Sequence, residues 1–339
     1  MSSPWTPLHA QIHTRLRATQ WLPQGSGILI AVSGGQDSLC LAQLLVDLQP
    51  KWGWRLRVAH CDHRWRPDSG ANAAHVAQLA AGWGLPCHIE QAATDLPKTE
   101  AAARTWRYQV FSRQALAHGG QTVVTGHTAT DRAETVLYNL VRGSGADGLQ
   151  ALGWRRPLID NQVWLVRPLL DLTRQDTGDF CSARQLPVWQ DATNQDLGYR
   201  RNRIRQELMP YLRSHFNPTV ETSLAQTAEI FAAEVAYLEA EATQLYDRVV
   251  QPLGPGWQLH RPTLRAAPLA LQRRVVRQLL QAILPRPPQF EHIDKLVRLA
   301  AAPHRSQGDP LPGGWVARVD RDWLVLEPPT DSSDKPHDG

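Results

Sequence analysis

The sequence predicts an α/β protein, with a doubly wound, mostly parallel sheet followed by a smaller, mainly helical domain. Two observations predict this fold. Apolar segments of strand length alternate with helical segments up to about residue 213, and helical periodicity dominates after Ser214. We expect a helical lead-in over 1–24, the α/β domain over 25–213, the helical domain over 214–328 and a disordered polar tail over 329–339.

Composition bounds the class of protein. The 339 residues are 42% hydrophobic and 20% charged, without an apolar run near the ~20 residues of a membrane span. The first 20 residues lack the apolar core of a signal peptide, so we expect a cytoplasmic protein without membrane contact. The four cysteines form no Cys-x-x-Cys pair, which argues against a zinc knuckle or a disulfide framework.

The formal charge of +4 comes almost entirely from arginine, because lysine stands only at 51, 98, 295 and 335. Selection for phosphate contacts and codon usage explain this bias equally well. No Lys-x-Asp-Gly sequence is present, which excludes covalent adenylation through lysine, as in polynucleotide ligases.

The most informative segment is Ser33-Gly34-Gly35-Gln36-Asp37-Ser38, which joins the apolar strand from Ile28 to a helix. Glycines let a backbone approach an anion closely, and the start of a helix offers free N–H groups to it. The loop lacks the lysine of the Walker motif. It resembles the PP-loop of ATP pyrophosphatases, which split ATP into AMP and pyrophosphate. That resemblance implies that Ser33, Gly34, Gly35, Gln36 and Ser38 bind ATP and that Asp37 binds both ATP and Mg²⁺. The alternative is a glycine-rich turn without a ligand.

Two more predicted strands carry polar residues at their carboxyl ends. The strand from Arg55 ends in His60-Cys61-Asp62-His63-Arg64-Trp65-Arg66, in which a metal site of His60, Cys61 and His63 is a weak alternative. The strand 121–125 ends in Gly126-His127 and precedes a helix with Asp131 and Glu134 at i and i+3. Acids at that place are also common as partners of the helix dipole.

A helix predicted over Glu100 to Tyr108 lies between these segments. Glu100, Arg104, Arg107 and Tyr108 form one polar stripe, which faces a ligand or is a solvated ion-pair face. Because the carboxyl ends of strands in a doubly wound sheet form one crevice, we expect these segments to converge there.

Six ordered motifs over about residues 25–212 together are similar to those of the tRNA(Ile)-lysidine synthetase family. They are the PP-loop, the segments 60–66, 100–108, 126–135 and 142–145, and Asp191-Ala-Thr-Asn194 followed by Arg201-Asn202-Arg203-Ile204-Arg205. One departure stands out. Thr130 occupies the place where the family often has the first of two aspartates, which puts any role that needs both carboxylates in doubt.

The resemblance implies a two-step reaction on an isoleucine tRNA with a CAU anticodon. ATP adenylates the C2 oxygen of the wobble cytidine, and free L-lysine then displaces AMP to give lysidine. The catalytic residues implied are Asp37, Asp62, Arg104, Asp131 and Glu134, while Gly126 and His127 would help to bind ATP. Those implied to bind tRNA or lysine are Arg66, Arg107, Arg142, Arg201, Asn202 and Arg205.

The region after Ser214 predicts a long helix over 219–250, a Pro- and Gly-rich connector over 251–257, basic helices near 269–283 and 289–301, and a hairpin over 313–327 that turns at Asp320 to Asp322. It resembles the appendage with which lysidine synthetases grip tRNA. Its arginines Arg265, Arg273, Arg274 and Arg277 contact phosphates or form a solvated face. A homodimer is a further expectation.

Two rival functions stay open. A PP-loop tRNA sulfurtransferase uses the same adenylation, but it normally needs catalytic or cluster-binding cysteines. A non-catalytic RNA-binding protein with a relic loop would not turn over ATP.

Overall fold

The computed structural model describes residues 5–159, 162–190 and 196–329. Within it the chain divides into two compact units, Met1–Ala232 and Ala233–Gly339. The boundary expected at residue 214 stays a prediction, as does the tail beyond 329, which lies outside the described residues.

The first unit is built on a six-stranded sheet of order β3-β2-β1-β4-β6-β5. The strands are β1 (Gly27–Ala31), β2 (Arg55–Asp62), β3 (Cys87–Gln91), β4 (Thr122–Thr125), β5 (Arg155–Ile159) and β6 (Val163–Val166). All neighbouring pairs are parallel except β5 with β6. The predicted doubly wound, mostly parallel sheet is therefore confirmed.

The helices of this unit are α1 (Pro7–Thr19), α2 (Gln36–Trp52), α3 (Ser69–Gly82), α4 (Glu100–Ala117), α5 (Ala129–Val141), α6 (Ala146–Leu149), α7 (Arg174–Ala183), α8 (Arg200–Arg203) and α9 (Met209–His215). A π-helical turn over Ile204–Leu208 joins α8 to α9. The predicted strands and helices up to residue 141 are all present, although α4, predicted to end at Tyr108, extends to Ala117.

The core of the first unit lies on both faces of the sheet. Leu41, Leu44, Leu45 and Leu48 of α2 are fully buried on one face, as their helical spacing predicts. Val110 and Phe111 of α4 pack on the other face. Because β1, β2 and β4 are parallel, the polar loops that follow them share the carboxyl edge of the sheet.

The long helix α10 (Val220–Val249) agrees with the helix predicted over 219–250. The elements that follow are β7 (Val250–Leu253), β8 (Gly256–His260), α11 (Arg261–Ala266), α12 (Leu269–Ile283), α13 (Phe290–Ala301), β9 (Val316–Asp320) and β10 (Trp323–Glu327). The two basic helices and the β9–β10 hairpin are confirmed.

The connector predicted over 251–257 was wrong, because β7 and β8 form a hairpin there. The four strands of the second unit make an antiparallel sheet of order β7-β8-β10-β9. Pro252 is tolerated because β7 is an edge strand, where one side of the backbone has no partner strand. Gly256 is required because a Cβ there would lie 2.2 Å from the carbonyl oxygen of Leu326.

No helix in the described part of the chain is long and apolar enough to span a membrane.

Candidate active site

The loop between β1 and α2 is held by its own serines. The backbone N–H of Ser33 donates to Oγ of Ser38 at 3.1 Å, and that hydroxyl donates to the carbonyl of Gly35 at 2.8 Å. Gly35 is the N-cap residue of α2 and has extended backbone, so the first N–H groups of the helix have no partner within the helix. The loop has the geometry of an anion cradle.

Two features of the structure require glycine at position 34. Its φ of +87° lies in the left-handed region, and a Cβ on it would lie 2.5 Å from Oδ1 of Asn72. Asn72 donates from Nδ2 to the carbonyl of Ser33 at 3.1 Å, and the N–H of Trp189 donates to the carbonyl of Gly34 at 3.0 Å. These contacts hold the loop from the side of α3 and from the segment after α7.

Asp37 lies in the first turn of α2 and contacts α7. Its Oδ1 accepts a hydrogen bond from the Thr177 hydroxyl at 2.5 Å, and its Oδ2 lies 3.2 Å from a guanidinium nitrogen of Arg174. Gln36 ties the same two elements together, donating to the carbonyl of Arg174 at 2.6 Å. Burial raises the pKa of Asp37 above its ordinary value, and Arg174 opposes that shift only in part.

The strand β4 ends against the start of α2. A Cβ on Gly126 would lie 2.6 Å from the backbone oxygen of Asp37 and 2.9 Å from the nitrogen of Ser38. Glycine at 126 is therefore needed for close packing on the phosphate loop. The next residue, His127, bonds through Nδ1 to the Thr125 hydroxyl at 2.8 Å, and burial lowers the pKa of its imidazole.

The predicted carboxylates of α5 form a buried ion-pair cluster with two arginines from the motif at 201–205. Arg201 donates to Oδ1 of Asp131 at 2.8 Å and to Oε2 of Glu134 at 2.9 Å. Arg205 donates to Oε1 of Glu134 at 2.6 Å and to Oδ1 of Asp131 at 3.2 Å. The Glu134 side chain is 0% exposed and that of Arg201 is 41% exposed, so the carboxylates of the cluster are buried while its guanidinium groups partly face solvent.

The contacts in this cluster shift the pKa values of Asp131, Arg201 and Arg205. Burial alone would raise the pKa of Asp131, but Arg201 and its other neighbours lower it below the ordinary value. The carboxylates likewise raise the pKa of Arg201 and of Arg205 despite their burial. All of these shifts favour the charged forms.

Sequence reasoning had placed Arg201 and Arg205 among substrate-binding residues without foreseeing that they pair with Asp131 and Glu134. About 70 residues separate the partners, and no local pattern signals such a contact. Asp191 to Asn194, the first half of the same motif, lie outside the described residues. Asn202 donates to the carbonyl of Asp196 at 2.9 Å.

Thr130, which replaces the first aspartate of the family pattern, is buried and has a backbone partner. Its hydroxyl accepts a hydrogen bond at 3.0 Å from the N–H of Arg174, the first residue of α7. An oxygen at a helix start satisfies a free N–H group whether it comes from threonine or aspartate. Thr130 therefore fixes the start of α7, which carries Arg174 and Thr177 to Asp37.

Arg174 and Thr177 were missed by sequence reasoning. A signal for their helix was present, because Thr173 and Asp176 form a capping box in which each side chain bonds to the backbone of the other. That pattern locates the start of α7 but does not show which element its side chains face.

At the end of β2, the predicted residues mostly hold the loop. Asp62 accepts the N–H of Arg64 at 2.8 Å and a longer bond of 3.4 Å from Gln91. His60 bonds through Nδ1 to the carbonyl of Val32 at 2.8 Å, which ties β2 to the strand that enters the phosphate loop. Arg66 lies 3.3 Å from Asp68. The described residues contain no cluster of potential metal ligands, so they give no support to the metal alternative.

Two of the remaining predicted arginines lie over tyrosine rings. Arg104 lies over the ring of Tyr108 at 5.6 Å, and Arg142 lies over Tyr138 at 5.1 Å. Arg107 is exposed on α4. In the second unit, Arg273 pairs with Asp294, while Arg274 and Arg277 both pair with Glu239. Of the four arginines proposed there for phosphate contacts, three are thus paired with carboxylates, although Arg274 and Arg277 share the single negative charge of Glu239.

Comparison with known proteins agrees with these motifs. A PP-loop domain model matches residues 8–212, and the TilS substrate binding domain matches residues 259–325. A curated tRNA(Ile)-lysidine synthase from Nostoc sp. is 56% identical over 95% of this chain and 97% of its own length. The chain belongs to the tRNA(Ile)-lysidine synthase family.

Other members of the family are similarly close. A tRNA(Ile)-lysidine synthase from Synechocystis sp. is 52% identical over 94% of this chain and 97% of its own. Among solved structures, the U34-tRNA thiolase NcsA from Methanococcus maripaludis matches with a TM-score of 0.56 and 15% identity, over 66% of this chain and 77% of its own. That likeness shows a shared fold.

Proposed function

We propose that this protein ligates lysine to C2 of the wobble cytidine in the CAU-anticodon isoleucine tRNA, at the expense of ATP. The observation that carries the proposal is the identity of 46–56% to several curated tRNA(Ile)-lysidine synthases over most of the chain. The PP-loop domain fits ATP-dependent chemistry of this kind.

In the first step, the C2 oxygen of cytidine attacks the α-phosphorus of ATP, and the bond to pyrophosphate breaks. The loop from Ser33 to Ser38 would bind the pyrophosphate through its backbone N–H groups and hydroxyls. Arg174, which is partly exposed and faces Asp37, would add a positive charge there. Gly126 and His127 would line the nucleotide from the end of β4.

Asp37 fits a magnesium site shared with ATP. Mg²⁺ is commonly held by one or two carboxylates together with substrate phosphates, so a single buried carboxylate next to the loop suffices. When bound, the ion would neutralise charge on the departing pyrophosphate. The burial that raises the pKa of Asp37 would be offset by such a cation.

In the second step, the ε-amine of lysine attacks C2, and AMP leaves with the oxygen. We propose that Asp131 and Glu134 bind an ammonium group of lysine in competition with Arg201 and Arg205, since the four groups already form a matched set of charges. Arg104, Arg107, Arg66, Arg142 and Asn202 remain candidates for contacts with tRNA or lysine.

A base must take a proton from the ε-ammonium before attack. Both oxygens of Glu134 accept hydrogen bonds of 2.6 to 2.9 Å from arginines, whereas Oδ2 of Asp62 accepts only a bond of 3.4 Å. The lone pairs of Asp62 are the more available, which favours Asp62 for this role.

The sulfurtransferase alternative finds little support in the thiols. Burial raises the pKa of Cys61 and of Cys181 to about 12, and it also raises the pKa of Cys40 and Cys87. A raised pKa disfavours the nucleophilic thiolate. The expected homodimer stays a prediction.

The test is release of AMP and pyrophosphate from ATP with purified protein, lysine and an isoleucine tRNA transcript whose wobble base is either C or U. We expect release only with the C transcript. Equal release of AMP and pyrophosphate with the C and U transcripts would overturn the proposal. Absence of ATP cleavage under every condition would favour a non-catalytic RNA-binding protein.

A further inference from the structure

Directly after β2, the ring of His63 lies between two tryptophans. Its centroid is 5.0 Å from that of Trp106 in an edge-on arrangement, and 5.2 Å from that of Trp65, tilted by 36°. Both tryptophans are only partly buried. His63, Trp65 and Trp106, which we call the aromatic triad, thus combine a covered imidazole with indole surface that a ligand can reach.

The imidazole has an unused hydrogen-bonding atom. Nδ1 of His63 is buried, and no group in residues 5–159, 162–190 or 196–329 bonds to it. Leaving a buried polar atom unpaired is destabilising, because the atom loses its hydrogen bonds to water and gains none in exchange. Because most buried polar atoms in proteins are paired with protein or with ordered water, Nδ1 of His63 is a site at which a water can link the ring to a bound ligand.

The surroundings indicate the chemistry of that partner. Burial, with Arg107 next in importance, lowers the pKa of His63 to about 4, so the ring is neutral at pH 7 and offers one donor and one acceptor. Arg66 and Arg107 both act on this ring electrostatically. Planar faces, a neutral hydrogen-bonding edge and nearby guanidinium groups suit a base that is attached to a phosphate.

The triad is also continuous with the candidate active site. His63 follows Asp62 at the end of β2, and His60 on that strand bonds to Val32 at the entrance to the phosphate loop. A ligand on the triad would therefore lie along the same edge of the sheet as bound pyrophosphate.

We propose that His63, Trp65 and Trp106 form a nucleobase-binding subsite, in which a base stacks on indole surface and its edge bonds through a bridging water to Nδ1 of His63. Two sources supply such a base, the adenine of ATP and an unstacked base of the tRNA anticodon loop. The proposal rests on the proposed function only for the choice of these two ligands.

The test measures binding without catalysis, so it does not depend on lysine ligation. Filter binding would be measured with labelled ATP in the absence of tRNA, and with the labelled isoleucine transcript in the absence of ATP. For Trp65→Ala and His63→Ala we expect the affinity for one of the two ligands to fall about tenfold, as for loss of one stacked base. Trp65→Phe keeps an aromatic face and should recover most of the affinity.

Trp164→Ala is the matched control, because Trp164 is also partly buried and lies under an arginine, on β6. A fall for ATP alone assigns the subsite to adenine, and a fall for tRNA alone assigns it to an RNA base. Folded variants that bind both ligands as the wild type does would overturn the proposal.

If the alanine variants fail to fold, the wild type can be tested directly by photo-crosslinking. The probes are 8-azido-ATP and a transcript with 4-thiouridine in the anticodon loop. Attachment of one probe to the peptide that contains Trp65 or to the one that contains Trp106 supports the subsite, and attachment of both probes only elsewhere overturns it.

Discussion

Gly126 lies so close to Asp37 that a Cβ on Gly126 would come within 2.6 Å of the Asp37 backbone oxygen. The end of β4 thereby sets the position of the first turn of α2, which carries the carboxylate and the free N–H groups of the phosphate loop. If the loop binds ATP as proposed, the distance between the end of β4 and the first turn of α2 therefore affects that binding.

Gly126→Ala is expected to weaken ATP binding by roughly 10- to 100-fold, since a displacement near 1 Å can cost that much in a site of this kind. Backbone on both sides cannot move as a flexible side chain does, so we also expect a loss of about 1–3 kcal/mol in the free energy of unfolding. Equilibrium binding of ATP and urea denaturation measure the two effects.

Gly70→Ala is the control for this substitution, because Gly70 lies in α3 with open space around its Cα. It should leave ATP binding unchanged. Unaltered ATP affinity in a folded Gly126→Ala variant would contradict the importance of this contact.

Asp37→Asn is expected to abolish ATP turnover and to make the ligand-free protein more stable at pH 7. Burial raises the pKa of Asp37 above 3.8, so the folded state binds more protons than the unfolded chain between 3.8 and that raised value. Stability from this group falls as the pH rises through that interval, and the ionised carboxylate remains a cost at neutral pH. Thermal denaturation from pH 4 to 8 should show a gain for the variant that shrinks on acidification.

The exposed Asp179 on α7 offers a control. Asp179→Asn should change neither turnover nor, by more than about 0.5 kcal/mol, stability. A lower melting temperature of Asp37→Asn at pH 7 would contradict this prediction. It would show that the pairing of Asp37 with Arg174 and Thr177 stabilises the fold by more than burial of the charged carboxylate destabilises it.

The ion-pair cluster predicts strong coupling between Glu134 and Arg205. Glu134→Gln leaves two guanidinium groups without a full partner, and breaking a buried pair typically costs about 3–5 kcal/mol. Because the Arg205 side chain is 22% exposed, we expect a smaller loss of about 2–3 kcal/mol, and a coupling energy of about 1–3 kcal/mol in a double-mutant cycle with Arg205→Gln. Urea denaturation of the four proteins measures both.

A surface pair provides the comparison. Arg213→Gln breaks the contact of Arg213 with Glu221, in which the arginine is 49% exposed, and should cost less than about 1 kcal/mol. Equal losses of unfolding free energy on breaking the Glu134–Arg205 pair and the Arg213–Glu221 pair would contradict this prediction. They would show that the cluster at Glu134 is solvated in solution.

His63 predicts a loss of stability in acid. Its pKa is lowered to about 4 in the folded protein, so between pH 6.5 and 4 the unfolded chain binds a proton that the folded protein does not. Stability from this group is complete above 6.5 and is lost as the pH falls, by about 2 kcal/mol after allowance for partial exposure. His63→Gln should flatten the dependence of unfolding free energy on pH between 4.5 and 7, and an unchanged slope would contradict the burial of this ring.

The sequence predicted the parallel sheet well because buried strands and amphipathic helices have distinct periods, as in the strand from Ile28 and the leucines of α2. It failed on β7 and β8 because Pro252, Gly254 and Pro255 resemble a loop, whereas in the fold they occupy an edge strand and its turn.

The phosphate loop was also predictable, since its residues are adjacent in the chain. The partners of its carboxylates were not. Arg174 and Thr177 reach Asp37, and Arg201 and Arg205 reach α5, across 67 residues or more of intervening chain. Such contacts depend on how helices pack against the carboxyl edge of the sheet, which no local pattern specifies.

The most direct test of the central claim is the chemical identity of the modified nucleoside. The protein would be incubated with ATP, Mg²⁺, isotopically labelled lysine and the isoleucine transcript with a CAU anticodon, and the RNA would be digested to nucleosides and analysed by mass spectrometry. We predict a cytidine that carries one labelled lysine in place of the C2 oxygen, formed only at the wobble position. Consumption of ATP and formation of AMP without any lysine-bearing nucleoside would contradict this account and would direct attention to another nucleophile, sulfur first.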